Sequence, residues 1–128
     1  MEATIDQAIH LAQKGKITFP EYVKMIAGVG VEKYSVNVAS HIIVYEGADR
    51  KITKKLPCDI LYVAETFDEK VLKGIIGAVQ RKEIDYPVFI KRIAQAGVEA
   101  YDVDIKGKAV TYKGRVKSYI EPFPQAKK

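Results

Sequence analysis

The feature of this sequence that most constrains its fold is an internal repeat. Sliding the chain by 67 positions aligns residues 1–57 with residues 68–124 without a gap, and sixteen of the 57 aligned pairs are identical. Identical pairs occur throughout the match and include Pro20/Pro87, Gly30/Gly97, Tyr34/Tyr101, Tyr45/Tyr112, Gly47/Gly114 and Pro57/Pro124. A gapless match of this length predicts a tandem duplication, in which each copy is one supersecondary unit.

Within each copy the apolar spacing changes from helical to alternating. Residues 5–12 carry apolar side chains at i, i+3, i+4 and i+7, which gives a helix with one apolar face. Thr18 and Glu21 have the spacing of a capping box and start a second helix, and Asp85 with Pro87 has the same role in the second copy. Tyr34 and Val36 then alternate with polar neighbours, which is typical of a half-buried strand. Two further short strands follow, so each copy reads α-α-β-β-β, with short connections that favour antiparallel pairing.

These patterns predict an α+β fold, a tandem duplication of the α-α-β-β-β unit with antiparallel sheet packed against four helices around one fused core. A copy of 57 residues would bury little surface alone, so we expect a single domain over residues 1–128. In it, repeats 1–57 and 68–124 are joined by the apolar connector 58–67, which we expect to pack. Thr66 and Glu69 are read as the capping box of the third helix. The pattern leaves open whether the two halves share one sheet or stack two.

Composition indicates where in the cell this protein is expected, but it says little about an activity. The chain carries a formal charge of +5, with the excess of Lys and Arg in the second half and the tail. Cys58 is the only cysteine, so an intramolecular disulfide is impossible. The acidic and polar start does not resemble a signal peptide, and no window is apolar enough to span a bilayer. We therefore expect a cytoplasmic protein with no membrane association.

The tyrosines that recur in both copies are the first candidate site. Tyr34, Tyr101, Tyr45 and Tyr112 each combine apolar area with one hydroxyl that needs a partner. One interpretation is core packing near the sheet edge. The other is a symmetric cleft at the twofold axis between the halves, holding a small ligand or a partner's side chains.

Basic residues form the second candidate site. They are Arg50, Lys51, Lys54 and Lys55 in the first half, with Arg115 and Lys117 in the second. Such charge can bind phosphates, so nucleic acid is not excluded as a partner. No helix-turn-helix, RNA-recognition or zinc-finger signature accompanies these residues. Basic side chains on a strand also commonly protect an exposed sheet edge.

Catalytic and metal-binding patterns are weak. His10 and His41 lack metal-ligand spacing and are expected at the surface or at an edge, so no metal or cofactor is predicted. Cys58 has no evident base nearby in sequence and favours a structural role. Asp102 and Asp104 share one strand face, where a solvated polar surface is the simpler interpretation. A small enzyme that uses Cys58 or this aspartate pair remains the third function class.

The second copy also resembles a known family. The stretch "IDYPVFIKRIAQAGVEAYDVDI…VTYKG…YIEPFP" is similar to the YdfO-like family, small bacterial and prophage proteins often labelled "phage envelope protein". The resemblance covers nearly the whole chain and implies an α+β fold of two related halves, with no activity and no catalytic residues to carry over. The first copy departs from the motif at its end, which reads "EGADRKITKKLP".

The sequence therefore favours a non-enzymatic binding or protein-interaction module of unknown ligand. A nucleic-acid-associated accessory protein is the main alternative, and a small enzyme is the weaker one. A homodimer is compatible with the pattern because three-stranded edges can pair across a twofold axis.

Overall fold

The computed structural model describes residues 2–56 and 62–123, which form an α+β fold of four helices and six strands. The first half contributes α1 (Glu2–Gln13), α2 (Phe19–Ala27), β1 (Val31–Asn37), β2 (Ile42–Gly47) and β3 (Lys51–Lys55). The second half contributes α3 (Glu69–Gln80), α4 (Tyr86–Gln95), β4 (Ala100–Asp104), β5 (Ala109–Lys113) and β6 (Ser118–Pro122). The order α-α-β-β-β thus occurs twice, as the sequence predicts, while descent from a duplication stays an interpretation of the sequence match.

The two halves share one antiparallel sheet, with the strand order β3-β2-β1-β4-β5-β6. Its centre is the pairing of β1 with β4, where Ser35 lies opposite its own repeat counterpart Asp102. On either side of this pair, Tyr34 lies opposite Val103 and Val36 lies opposite Tyr101. This register is that of a twofold axis passing through the Ser35–Asp102 pair. The choice between joined and stacked sheets, which the sequence left open, is decided in favour of one joined sheet.

The helices cover one face of this sheet. Along β1, Tyr34 and Val36 are buried while Ser35 between them is not, and the other central strands alternate in the same way. The fully buried side chains come from both halves and include Ile5, Ile26, Val36, Tyr45, Leu72, Ile93, Val98 and Val103. One continuous core therefore joins the two halves.

Helix starts follow the predicted chemistry in two cases and correct it in a third. Thr18 and Glu21 form a complete capping box at the start of α2, and the Asp85 side chain caps α4. The predicted capping box of Thr66 and Glu69 is wrong. Asp68 is the N-cap of α3, because the helix begins at Glu69 and the Asp68 carboxylate accepts a hydrogen bond from the Val71 N–H.

The end of the connector packs against the second half. The N–H groups of Ala64 and Asp68 donate to the carbonyls of Ala94 and Ala96 at the end of α4. Thr66 and Phe67 lie against Gly97, where a Cβ atom would come within 2.3 Å of the Thr66 carbonyl oxygen. The connector was predicted to pack rather than stay free, and half-buried Val63, Ala64 and Phe67 agree with this. Tyr62 does not, since it is 75% exposed, and residues 58–61 lie outside the described part.

The two repeat-related glycines after α2 and α4 allow a matched test of this contact. Gly30 and Gly97 both have positive φ, +99° and +89°, which a side chain rarely adopts. A Cβ atom at Gly30 meets nothing within 4 Å, unlike one at Gly97. We therefore expect Gly97→Ala to lower the free energy of unfolding by about 1–3 kcal/mol more than Gly30→Ala, measured by urea denaturation. Equal losses would show that the connector contact does not stabilise the fold.

Candidate functional site

A cavity of about 720 Å³ lies between the helices and the sheet, and we call it the central cavity. Repeat counterparts from both halves line it, among them Ile9/Ile76, Gln13/Gln80, Ile17/Ile84, Phe19/Tyr86, Tyr22/Phe89 and Tyr34/Tyr101. Exposed residues of the α1–α2 and α3–α4 connections, such as Lys16 and Lys82, form its mouth. The central cavity therefore lies across the twofold axis and opens between two equivalent loops.

Aromatic side chains are concentrated around this cavity. Of the 12 tyrosines and phenylalanines in the chain (8 Tyr and 4 Phe), eight line it. They are Phe19, Tyr22, Tyr34, Tyr86, Phe89, Tyr101, Tyr112 and Phe123. A wall of this kind offers large apolar area together with a few polar hydroxyls, which is the usual composition of a small-molecule site.

The four tyrosines singled out in the sequence are all buried, and three of them line the cavity. Tyr34, Tyr101 and Tyr112 are 4%, 5% and 5% exposed and border the central cavity. Tyr45 is fully buried, does not border the cavity, and lies with its ring 5.4 Å from that of Tyr34. By burial all four belong to the core, and three of them also border the cavity.

In the first half, the hydroxyl of Tyr45 has a partner. It shares a hydrogen bond with the hydroxyl of Tyr22 on α2. The counterpart of Tyr22 in the second half is Phe89, which has no hydroxyl. Because of this single difference, Tyr112, the counterpart of Tyr45, lacks the equivalent bond.

In the second half, a different pair of hydroxyls meets. Tyr101 donates to Tyr86 across 3.5 Å, and the Tyr86 hydroxyl lies 3.0 Å from Nε2 of His41. The counterpart of Tyr86 in the first half is Phe19, again without a hydroxyl. Tyr34, the counterpart of Tyr101, therefore has no equivalent partner on α2.

Two tyrosine hydroxyls at the cavity are left without a hydrogen bond to any described residue, those of Tyr34 and Tyr112. We call them the unpaired hydroxyls. Burial, with the nearby tyrosines, raises the pKa of Tyr34 well above its ordinary value, and burial followed by the Glu121 carboxylate raises the pKa of Tyr112. Both hydroxyls are therefore neutral at physiological pH and keep a proton that they can donate.

The sequence interpretation missed that His41 contacts the cavity wall through Tyr86. The expectation of a surface or edge histidine holds for exposed His10 but is wrong for His41, which is 3% exposed. Its Nδ1 has no hydrogen-bond partner in the part of the chain that the structure describes, and its φ of 55° matches that of its counterpart Lys108. Its neighbour Tyr86 lies 45 residues away in the sequence, so local pattern held no signal for the contact.

The predicted basic residues do not form one surface. Lys51, Lys54 and Lys55 lie on β3 and Lys117 lies just before β6, so the two groups occupy opposite edges of the sheet. Five strand spacings separate these edges, about 24 Å. Lys54 is bound by Glu2 and, at 2.9 Å, by Asp6, while Arg115 pairs with Glu99 at 3.1 Å. Arg50 lies in the turn before β3.

The remaining candidates for chemistry are dispersed. Asp102 pairs with Lys113 at 2.5 Å, and the Asp104 carboxylate accepts the Gly107 N–H, so each has a structural partner. Cys58 lies outside the described residues. Within ranges 2–56 and 62–123, no group of three His, Cys, Asp or Glu side chains could hold a metal ion. In those same ranges, the helices are too short or too polar to cross a membrane.

Removing a hydrogen-bonded tyrosine hydroxyl and removing an unpaired one should have different effects on stability. Tyr45→Phe leaves the buried Tyr22 hydroxyl without its partner, so we expect a loss of about 1–3 kcal/mol in the free energy of unfolding. Tyr34→Phe removes an unpaired hydroxyl and keeps the ring, so a change within about 0.5 kcal/mol or a gain is expected. Urea denaturation of both variants measures the difference. A loss for Tyr34→Phe equal to that for Tyr45→Phe would contradict the assignment.

His41 predicts how stability depends on pH. Burial lowers the pKa of His41 below its ordinary value of 6.5, so the unfolded chain binds a proton that the folded chain does not. The stability that neutral His41 gives the folded chain is fully present above the unfolded pKa. It is lost as the pH falls through 6.5 towards the folded pKa. We expect the free energy of unfolding to fall between about pH 7.5 and about pH 5.5.

His41→Asn, which tolerates positive φ, should flatten this pH dependence. The matched change at the exposed histidine of α1, His10→Asn, should preserve it. An unchanged slope in His41→Asn would contradict the assignment of the effect to His41.

A comparison with known families assigns the chain without assigning an activity. The family model described as "Protein of unknown function (DUF1398)" matches residues 7–120. No curated protein matches the sequence. Since the match spans nearly the whole of the 128 residues, the chain belongs to the DUF1398 family, whose function is unknown.

Proposed function

We propose that this protein is a non-enzymatic binding module that holds a small molecule in the central cavity. The observation that carries the proposal is the cavity of about 720 Å³ that both halves line with counterpart residues. This volume falls within the usual range of small-molecule sites, about 300–1,000 Å³. The proposed setting is the cytoplasm of a bacterium or prophage host, in line with the YdfO-like resemblance.

The unpaired hydroxyls support a ligand with polar groups as well as an apolar body. Tyr34 and Tyr112 are each about 95% buried, and their hydroxyls reach the cavity, because His41 Nδ1 is the only fully buried side-chain N or O atom without a partner in the described residues. A ligand that hydrogen-bonds to these hydroxyls would gain orientation. Because Tyr34 and Tyr112 are not repeat counterparts, the ligand would bind in one orientation despite the twofold arrangement of the backbone.

The arrangement of basic residues favours a small-molecule binding module over a nucleic-acid-associated protein. A phosphate backbone needs basic side chains along one continuous surface. Here the candidate lysines and arginines lie at two opposite sheet edges, and Lys54 and Arg115 already face carboxylates. A side chain of a partner protein that enters the central cavity would contact the same residues as a small molecule. The experiment below therefore also tests for a protein partner.

Filling the cavity tests the proposal. N-phenyl-1-naphthylamine, a neutral apolar fluorophore, should bind the native protein with increased emission. Ala12 lies on the cavity wall, so Ala12→Phe should weaken that binding by about tenfold or more through loss of space. Ala3→Phe places the same side chain on the exposed face of the same helix and is the matched control.

The measurement is a fluorescence titration of the native protein and both variants, with circular dichroism to confirm that each is folded. Equal binding by Ala12→Phe and Ala3→Phe would place the probe elsewhere and overturn the cavity as the site. Absence of binding by the native protein would argue against an apolar site altogether. In a second titration, a peptide library that displaces the probe would redirect the proposal to a protein partner.

A further inference from the structure

We infer that the ligand of the central cavity is an organic cation with an apolar body, its charge lying near Glu121. This inference rests on the proposed function, because it names the chemical class that the same cavity takes. It is carried by three features of the cavity wall: the aromatic faces, the balance of charges, and one half-buried carboxylate beside an unpaired hydroxyl.

The aromatic wall favours a positive charge. The faces of Tyr and Phe rings carry negative potential, so a cation within about 6 Å of a ring centroid is attracted, more strongly where water is excluded. Eight such rings border the central cavity. The chain uses this interaction elsewhere, since Nζ of Lys73 lies 5.1 Å from the centroid of the Tyr119 ring.

The charges around the cavity have the opposite sign to the chain as a whole. Four carboxylates border it and two ammonium groups do, which leaves an excess of two negative charges in a protein of net +5. The carboxylates are Glu21, Glu83, Asp85 and Glu121, and the ammonium groups are Lys16 and Lys82. Five of these six groups are exposed, where water and salt screen their charge, and Glu121 is the one that is half-buried.

Three of the four carboxylates already bind other groups of the protein. Glu21 and Asp85 accept hydrogen bonds at the starts of α2 and α4, and Glu83 pairs with Arg81 at 2.7 Å. Side chains of the protein therefore already bind an N–H group at each of those two helix starts. The Glu21 and Asp85 carboxylates at the same helix starts also argue against an anionic ligand at the mouth, because they would repel it.

Glu121 is the carboxylate best placed to bind a cation. It is half-buried on β6, borders the cavity, and accepts the Tyr119 hydroxyl at 2.5 Å through one oxygen, Oε1. It lies close enough to Tyr112 to contribute to that tyrosine's raised pKa. A cationic N–H group near Glu121 could also donate to the Tyr112 hydroxyl, which accepts as well as donates.

The first half lacks an equivalent of this carboxylate. The counterpart of Glu121 is Lys54, whose ammonium group is held by Glu2 and Asp6 of α1. One end of the cavity wall therefore has a carboxylate where its repeat counterpart has an ion-paired lysine. The charge of the ligand consequently belongs at the Glu121 end, and its apolar body fills the aromatic space across the axis.

Three probes with one aromatic body and different charges test the inference. They are 1-naphthylmethylammonium, the neutral 1-naphthalenemethanol, and the anion 1-naphthaleneacetate, each titrated as a competitor of N-phenyl-1-naphthylamine. We expect the cation to compete at least about fivefold more strongly than the anion, although the net charge of the protein favours the anion. Glu121→Gln should weaken the cation about fivefold and leave the alcohol unchanged.

The control variant is Glu46→Gln, which neutralises another half-buried strand carboxylate away from the cavity wall. It should leave all three probes unchanged. An anion or alcohol that competes as well as the cation would overturn the cation inference while the proposed binding function stands. Equal loss in Glu121→Gln and Glu46→Gln would also overturn it, by showing a general charge effect. If neither the fluorophore nor any probe binds, both proposals fail.

Discussion

The pairing of β1 with β4 is the interaction on which the rest of this structure depends. It joins two three-stranded units into one sheet, and its register about Ser35 and Asp102 sets a twofold relation between the halves. With the apolar faces of both units on the same side, all four helices must pack there. The central cavity follows from this arrangement, because Tyr34 and Tyr101, the residues beside the axis, lie beneath the place where the two helical pairs meet.

The repeat made most of the fold predictable, since each element was indicated twice by independent residues. The order of elements, the capping of α2 by Thr18 and the buried face of β1 all follow from spacing within a few residues. The prediction was wrong at two places. In one the capping residue lies two positions further along the chain, and in the other the burial depends on a residue that is distant in the sequence. Asp68, not Thr66, caps α3, and burial of His41 depends on Tyr86 of the other half. Strand pairing between the halves was likewise beyond local pattern.

The sequence indicated which tyrosines recur in both halves, but it did not indicate which of their hydroxyls have a partner. Identity of Tyr34 with Tyr101 and of Tyr45 with Tyr112 suggested equivalent roles for each pair. Among the described residues, one member of each pair has a hydroxyl partner and the other has none. The deciding differences are Tyr22 against Phe89 and Phe19 against Tyr86, which read as conservative exchanges in the sequence. A near-symmetric backbone therefore encloses a cavity whose polar groups are asymmetric.

The unpaired hydroxyls decide the polarity of the cavity wall. Within the described residues, His41 Nδ1 is the only fully buried side-chain N or O atom without a hydrogen-bond partner, so the hydroxyls of Tyr34 and Tyr112 reach the space of the cavity. Phenylalanine at position 34 or 112 would keep the ring and remove this polar group, and the chain already uses phenylalanine at 19 and 89 in the same cavity wall. Tyr34 and Tyr112 therefore give an otherwise aromatic wall two hydroxyls that no described residue binds, which is the arrangement that a ligand with polar groups in the proposed site would use.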